Sequence, residues 1–213
     1  MIRTLACFAL LALAAPSAAQ DIAPAPPTAA PAPPPAPKPA VVHVTLQTSA
    51  GLILLELEKE RAPITTANFL KYVEQKRLDG ATIYRAVAIA DGFGLIQGGV
   101  RNDAKRVLPP IAHEPTSKTG LSHVSGTISM ARAAPGSANG DFFITVGDMP
   151  SMDADPKLPG DNLGFAAFGH VVEGMEVVKT ILVGPVSPTA GEGALKGQML
   201  EPAIRIVSAK RTD

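Results

Sequence analysis

Apolar and polar residues alternate from Val42 to Gln47, with Val42, Val44 and Leu46 on one side and His43, Thr45 and Gln47 on the other. A period of two predicts a strand with one buried face. Ser49-Ala50-Gly51 supplies a turn and residues 52–57 a second strand, so the pair predicts a hairpin. The period then changes. Pro63 heads a stretch running to Lys76, where its missing N–H leaves no helical bond unmade, and Ile64, Ala67, Leu70 and Val73 recur at helical spacing. Asp79-Gly80 is expected to close this helix. Short strand-like runs follow at 82–87, 93–97, 127–131, 142–146 and 165–172. A second helix is predicted over 175–183, with Met175, Val178 and Ile181 on one side, and a last strand over 202–208. Many short strands and two separated helices predict a mainly β fold, a closed antiparallel eight-stranded barrel capped by two helices. A parallel βαβ sheet fits this order poorly.

The chain ahead of these elements has a different character. Residues 1–19 carry one charged side chain, Arg3, then an unbroken apolar run over 5–15, then the small residues Ser17-Ala18-Ala19. This reads as a secretory signal peptide cleaved before Gln20. A membrane anchor is the alternative, but the run falls short of the roughly 20 apolar residues a spanning helix needs. Residues 20–40 are largely Pro and Ala and cannot bury a core, so a disordered tether is expected, reaching about 60 Å if extended. A recognition motif for a Pro-binding partner is the other reading, though clustered charges and aromatics are missing. Residues 41–213 suit a single domain. The only cysteine, Cys7, lies in the signal, so a mature protein would depend on its core alone in an oxidising compartment. A formal net charge of +0 and a pI near 6.9 argue against nucleic acid or an anionic membrane surface as a partner. A monomer is expected, periplasmic or secreted, with no membrane insertion once the signal is removed.

Residues 126–146 read GTISMARAAPGSANGDFFITV, two apolar runs joined by turn-forming residues. On periodicity alone this is strand, loop, strand in a β core. Its wording closely resembles the central signature of the cyclophilins, the peptidyl-prolyl cis-trans isomerases. Other blocks resemble the family in the same order: Gly51 to Glu56, Ala62-Pro63-Ile64-Thr65 with Asn68-Phe69, Asp79 to Arg85, Ile96-Gln97-Gly98-Gly99, and Phe168 to Met175. Together they cover essentially the whole domain after the tether.

The resemblance implies isomerisation of X–Pro bonds in proline-containing peptides and unfolded exported proteins. Rotation about such a bond meets a resonance barrier of about 18–20 kcal/mol, with no covalent bond made or broken. No nucleophile, metal or cofactor is required. The enzyme must bind the twisted amide better than either planar form. An apolar pocket for the proline ring, polar groups for the flanking peptide and a cation near the prolyl nitrogen would do this.

By the same resemblance Arg85 is the catalytic arginine, Gln97 the glutamine that steadies it and binds substrate backbone, and Phe143 the aromatic floor of the proline pocket. Tyr84, Phe93, Leu95, Met130, Ala131, Asp141, Met152 and Phe165 are the implied substrate-binding residues. Several depart from the family pattern. Tyr84 stands for His, Leu95 for Met, Asp141 for Gln and Met152 for Leu, Phe165 falls where a pocket His often lies, and the rim Trp of many members is missing, since the chain has no Trp. The stretch between Arg85 and Gln97 is a few residues longer than usual. A more apolar and more acidic rim is expected. His43, His113, His123 and His170 lie in four separate blocks without the paired spacing of a zinc site. Ser129 and Ser137 lack a nucleophile elbow, which argues against a serine hydrolase. An active isomerase is the favoured reading. A peptide-binding or chaperone module on the same scaffold, with little catalysis, is the alternative.

Overall fold

The computed structural model describes residues 39–101, 103–157 and 160–212, which fall within one compact unit, Lys38–Asp213. The expected signal peptide and nearly all of the expected tether lie outside the described residues. Strands β1 (Val42–Thr48) and β2 (Gly51–Leu57) form the expected hairpin, paired from Val42↔Leu57 to Thr48↔Gly51. Strands β3 (Thr82–Ala90), β4 (Phe93–Gly99), β5 (Thr127–Met130), β6 (Asp141–Val146), β7 (Ala166–Glu173) and β9 (Met199–Arg211) complete a ring in the order β1-β2-β7-β5-β6-β4-β3-β9, which β1–β9 pairing closes. Every pairing is antiparallel. A two-residue strand, β8 (Val186–Ser187), adds to β9 outside the ring.

The expected helices are α1 (Pro63–Glu74) and α3 (Met175–Leu182); a single turn, α2 (Thr116–Thr119), is additional. Helix α1 stops well before Asp79-Gly80. Lys76 takes a left-handed conformation at φ 54°, its N–H reaches the Val73 carbonyl, and Arg77 N–H reaches that of Tyr72. These two bonds make a Schellman motif, built here without glycine. The buried face of α1 also differs from the periodic one. Phe69, Leu70, Tyr72 and Val73 are buried while Ile64 and Ala67 are exposed. Phe69 packs edge-on to Phe142 and tilted against Phe168, with centroids 5.6 and 5.3 Å away. The interior residues Val44, Leu55, Ile83, Ile96, Ile128, Phe142 and Ile144 belong to one cluster with the α1 residues.

Parity along the strands decides what faces outward. In β6, Phe142, Ile144 and Val146 join the interior cluster, so Asp141, Phe143 and Thr145 lie on the other face. Met130 is 1% exposed and joins the interior cluster, so its side chain packs in the barrel and does not line the groove beside Ala131. The extra residues between Arg85 and Gln97 lengthen the β3–β4 hairpin, which turns at Asp91-Gly92 with an exposed tip from Ala88 to Gly92. The register at Phe93 follows: it pairs with Ala90. Its ring lies over Gly147, where a Cβ would come within 2.3 Å.

Candidate active site

A row of cross-strand partners crosses the barrel's outer face. Arg85 on β3 pairs with Gln97 on β4, Gln97 with Phe143 on β6, and Phe143 with Ser129 on β5. Directly opposed residues share a face. One irregularity adds a fifth member. The register of β3 shifts between Ile83 and Arg85 against both β4 and β9. Such a bulge sets two consecutive residues against one partner and re-aims their side chains. Both Tyr84 and Arg85 consequently reach Gln97, which a regular strand, with its alternating faces, does not allow.

The polar part of the row is a directional chain. Arg85 Nη1 donates to Gln97 Oε1 at 2.7 Å, Gln97 Nε2 donates to the Tyr84 hydroxyl at 2.8 Å, and that hydroxyl donates to Asp141 Oδ2 at 3.1 Å. A guanidinium only donates and a carboxylate only accepts, so the two ends fix the Gln97 amide and the Tyr84 hydroxyl between them. Asp141 Oδ1 accepts from Arg101 N–H at 2.8 Å, and the Arg101 guanidinium lies 4.9 Å from the Tyr84 ring centroid. Burial pushes the Asp141 carboxyl above its ordinary range against these hydrogen bonds. Burial, and the neighbouring Asp141, push the Tyr84 phenol well above its ordinary value. Tyr84 therefore stays protonated and keeps its donor.

Arg85 has a second anchor. Its Nε and Nη2 both donate to Gln198 Oε1, at 2.8 and 2.6 Å. Burial lowers the Arg85 pKa from its very high ordinary value, and the group stays a cation.

Phe143, Leu95 and Met149 form a second hydrophobic cluster, separate from the barrel interior, with Val87, Phe93, Ala131, Met152 and Phe165 packed against it. Phe143 meets Phe165 edge-on at 5.3 Å. Arg132 braces this wall. It forks to Asp161 at 2.8 and 2.9 Å, binds the Gly164 carbonyl, and holds its guanidinium 5.2 Å from the Phe165 ring centroid. A groove of about 580 Å³ adjoins the polar row, lined by Tyr84, Gln97, Ala131, Asp141, Leu195 and Met199 among others. Ala131 N–H is already bonded to the Asp141 carbonyl at 2.9 Å.

Behind Phe143 lies a buried Ser–His–Asp chain. His123 Nδ1 is 2.6 Å from Asp153 Oδ1 and Nε2 is 2.9 Å from Ser129 Oγ. The carboxylate can only accept, so Nδ1 carries the proton and Nε2 accepts from Ser129. The arrangement resembles a hydrolase triad, but Ser129 is 0% and His123 1% exposed. A substrate carbonyl cannot reach the hydroxyl, so the chain acts as a brace.

The structure thus brings together Arg85, Gln97, Tyr84 and Asp141 as one polar unit, and Phe143, Leu95, Phe93, Ala131, Met152 and Phe165 as one apolar unit. It leaves Met130 in the core. Gln198 and Met149 went unnoticed in the sequence, because Gln198 lies 113 residues from Arg85 in a segment without a motif, and Met149 has no periodic neighbours. The histidines are also less scattered than their blocks imply. Strand register places His43 and His170 on either side of Glu56, at 3.2 and 3.6 Å, and Glu58, bonded to Arg61, lies beside them. Glu56, Glu58 and His170 have metal-ligand spacing, yet both carboxylates already have a basic partner. No helix among the described residues is long and apolar enough to cross a membrane.

The sequence model of the family described as cyclophilin type peptidyl-prolyl cis-trans isomerase/CLD matches residues 43–211. Peptidyl-prolyl cis-trans isomerase A of Dickeya dadantii is 39% identical over 152 residues, 67% of this chain and 75% of its own length. A peptidyl-prolyl cis-trans isomerase of Streptomyces antibioticus is 40% identical over 141 residues, 65% of this chain and 81% of its own. Among solved structures, a cyclophilin-type isomerase of Cryptosporidium parvum superposes with a TM-score of 0.64 at 20% identity, over 82% of this chain and 99% of that one. At that identity the likeness is one of fold. With the barrel and these relatives in agreement, the chain belongs to the cyclophilin-type peptidyl-prolyl cis-trans isomerases and is an enzyme of that activity.

Proposed function

We propose that this isomerase acts on X–Pro bonds of exported proteins and assists their folding, with Arg85 as the group that stabilises the twisted amide. One observation carries the assignment of Arg85. Among the described residues its guanidinium is held by neutral amide oxygens alone, and its partner Gln97 is in turn paired across the strands with Phe143. In the twisted state the prolyl nitrogen pyramidalises and regains a lone pair, and a fixed cation beside it lowers the barrier. Phe143, Leu95, Met149 and Phe165 would seat the proline ring. Gln97, with one Nε2 hydrogen used by Tyr84, has a second for a substrate carbonyl. The reading as an exported protein rests on residues 1–19, a charged start, an apolar run and a small-residue end.

Two measurements test the proposal. Isomerisation of an Ala-Pro peptide by Arg85→Ala is expected to fall by about 10²–10³ in kcat/KM with the fold retained, and Arg85→Lys is expected to be poor because an ammonium lacks the planar fork. A folded Arg85→Ala protein with wild-type kcat/KM rejects the assignment. Mass spectrometry of the protein from its native host should show a mature chain beginning near Gln20. An intact N-terminus in the cytoplasmic fraction rejects export.

A further inference from the structure

We infer that Gln198 is a positioning residue of the isomerase reaction, a neutral clamp that fixes the Arg85 guanidinium without cancelling its charge. The inference rests on the reading of Arg85 as the cation that meets the prolyl nitrogen. Arginine has a long, flexible stem, and a single hydrogen bond from Nη1 to Gln97 leaves the guanidinium free to swing about that contact. Gln198 takes the opposite edge. Its Oε1 accepts from both Nε and Nη2, at 2.8 and 2.6 Å, so the planar group is held at two edges and cannot rotate. Of the five N–H donors of an arginine, three are used in this way, and two remain for substrate.

The chemical type of the clamp matters as much as its position. Both acceptors are amide oxygens, and Arg85 makes no ion pair among the described residues. A carboxylate at either place would hold the guanidinium equally well but would offset the positive charge that the twisted amide has to feel. Preorganised charge is worth most where it needs no reorganisation during the reaction.

Gln198 is itself held firmly. Its carbonyl accepts Ala86 N–H at 3.0 Å and its N–H donates to the Leu195 carbonyl at 3.1 Å. The next residue, Met199, is the register partner of Arg85. The backbone just ahead of β9 is thus stitched to β3 beside the residue that Gln198 clamps.

The test uses the full chain carrying Gln198→Leu, Gln198→Glu, Arg85→Ala, and Arg85→Ala combined with Gln198→Leu. Each is assayed for kcat and KM on an X–Pro peptide and melted. Gln198→Leu is expected to lower kcat about tenfold with KM within about twofold. Gln198→Glu should lower kcat as well, although it keeps the hydrogen bonds. In the Arg85→Ala background Gln198→Leu should change nothing further, the non-additivity expected of a residue that acts through another. Wild-type kcat in Gln198→Leu, or an equal further loss in the Arg85→Ala background, overturns the inference. Should Gln198→Leu melt below the assay temperature, Gln198→Glu decides, and wild-type kcat in that variant overturns the inference. An inactive Arg85→Ala beside a fully active Gln198→Leu rejects only the role of Gln198, whereas a fully active Arg85→Ala rejects the reading of Arg85 itself.

Discussion

The imidazole of His123 lies nearly parallel to the ring of Phe143, with centroids 5.9 Å apart and planes 14° apart. The ring proposed as the floor of the proline pocket therefore rests on a histidine that Asp153 and Ser129 hold in one tautomer. Burial lowers the His123 pKa below its ordinary 6.5, and this outweighs the opposing effect of Asp153. The folded protein consequently binds this proton less readily than the unfolded chain. The contribution to stability is fully present above pH 6.5 and is lost as pH falls below it, by at most about 1.4 kcal/mol per pH unit. Urea unfolding at pH 7.5 and 5.5 should show a steeper loss for the wild type than for His123→Gln. Equal slopes would show that His123 does not titrate as described. Comparing the two proteins cancels Asp141, whose raised carboxyl acts in the opposite direction at lower pH.

Phe143→Ala and Met130→Ala should differ in kind. Both side chains are buried, Phe143 in the outer cluster and Met130 in the barrel interior. Each truncation is expected to cost about 2–5 kcal/mol of stability. Only Phe143→Ala should also raise KM for an X–Pro peptide. A raised KM in a folded Met130→Ala protein would put its side chain back in the substrate groove.

Tyr84→Phe removes the hydroxyl that links Gln97 to Asp141. One hydrogen bond is worth about 1 kcal/mol, so kcat/KM should fall about fivefold, far less than for Arg85→Ala. A loss as large as that of Arg85→Ala would mean that Tyr84 touches the reacting amide itself.

Glu114 is 1% exposed and accepts hydrogen bonds from the Ile64 and Thr65 amides and from the Thr65 hydroxyl. It caps α1 from 50 residues away, where Ala62 at the N-cap has no side chain to do so. Glu114→Ala leaves these donors unpaired and removes a negative charge from a helix N-terminus, an expected cost of about 2–4 kcal/mol. Thermal melts read it directly, and a shift of less than a degree would exclude the cap.

The missing rim indole predicts weak cyclosporin binding. In the family that group donates a hydrogen bond to the ligand, and this chain has no Trp. Losing one buried hydrogen bond corresponds to roughly ten- to a hundredfold in affinity. Inhibition at nanomolar concentration would contradict this.

The sequence by itself determined the barrel, its two main helices and most of the outer apolar cluster. Alternation and turn residues act over a few positions, so they can be read locally, and the Phe-Phe-Ile and Ile-Gln-Gly-Gly blocks are local wording too. Most of what it could not determine depends on contacts between distant segments, the end of α1 being a local exception that no glycine marks. Helix α1 ends at a left-handed Lys76, not at Asp79-Gly80, because hydrogen bonds to Val73 and Tyr72 close it early. Met130 reads like its neighbour Ala131, yet strand parity turns one inward and leaves the other at the groove. The bulge at Tyr84 exists only through pairing of β3 with β4 and β9, and it alone puts Tyr84 and Arg85 on one glutamine. Gln198 carries no motif and no periodicity, and only closure of the barrel by β9 sets its amide against Arg85. Hydrogen-bond partners far apart in the chain leave no local pattern, because geometry and not spacing selects them.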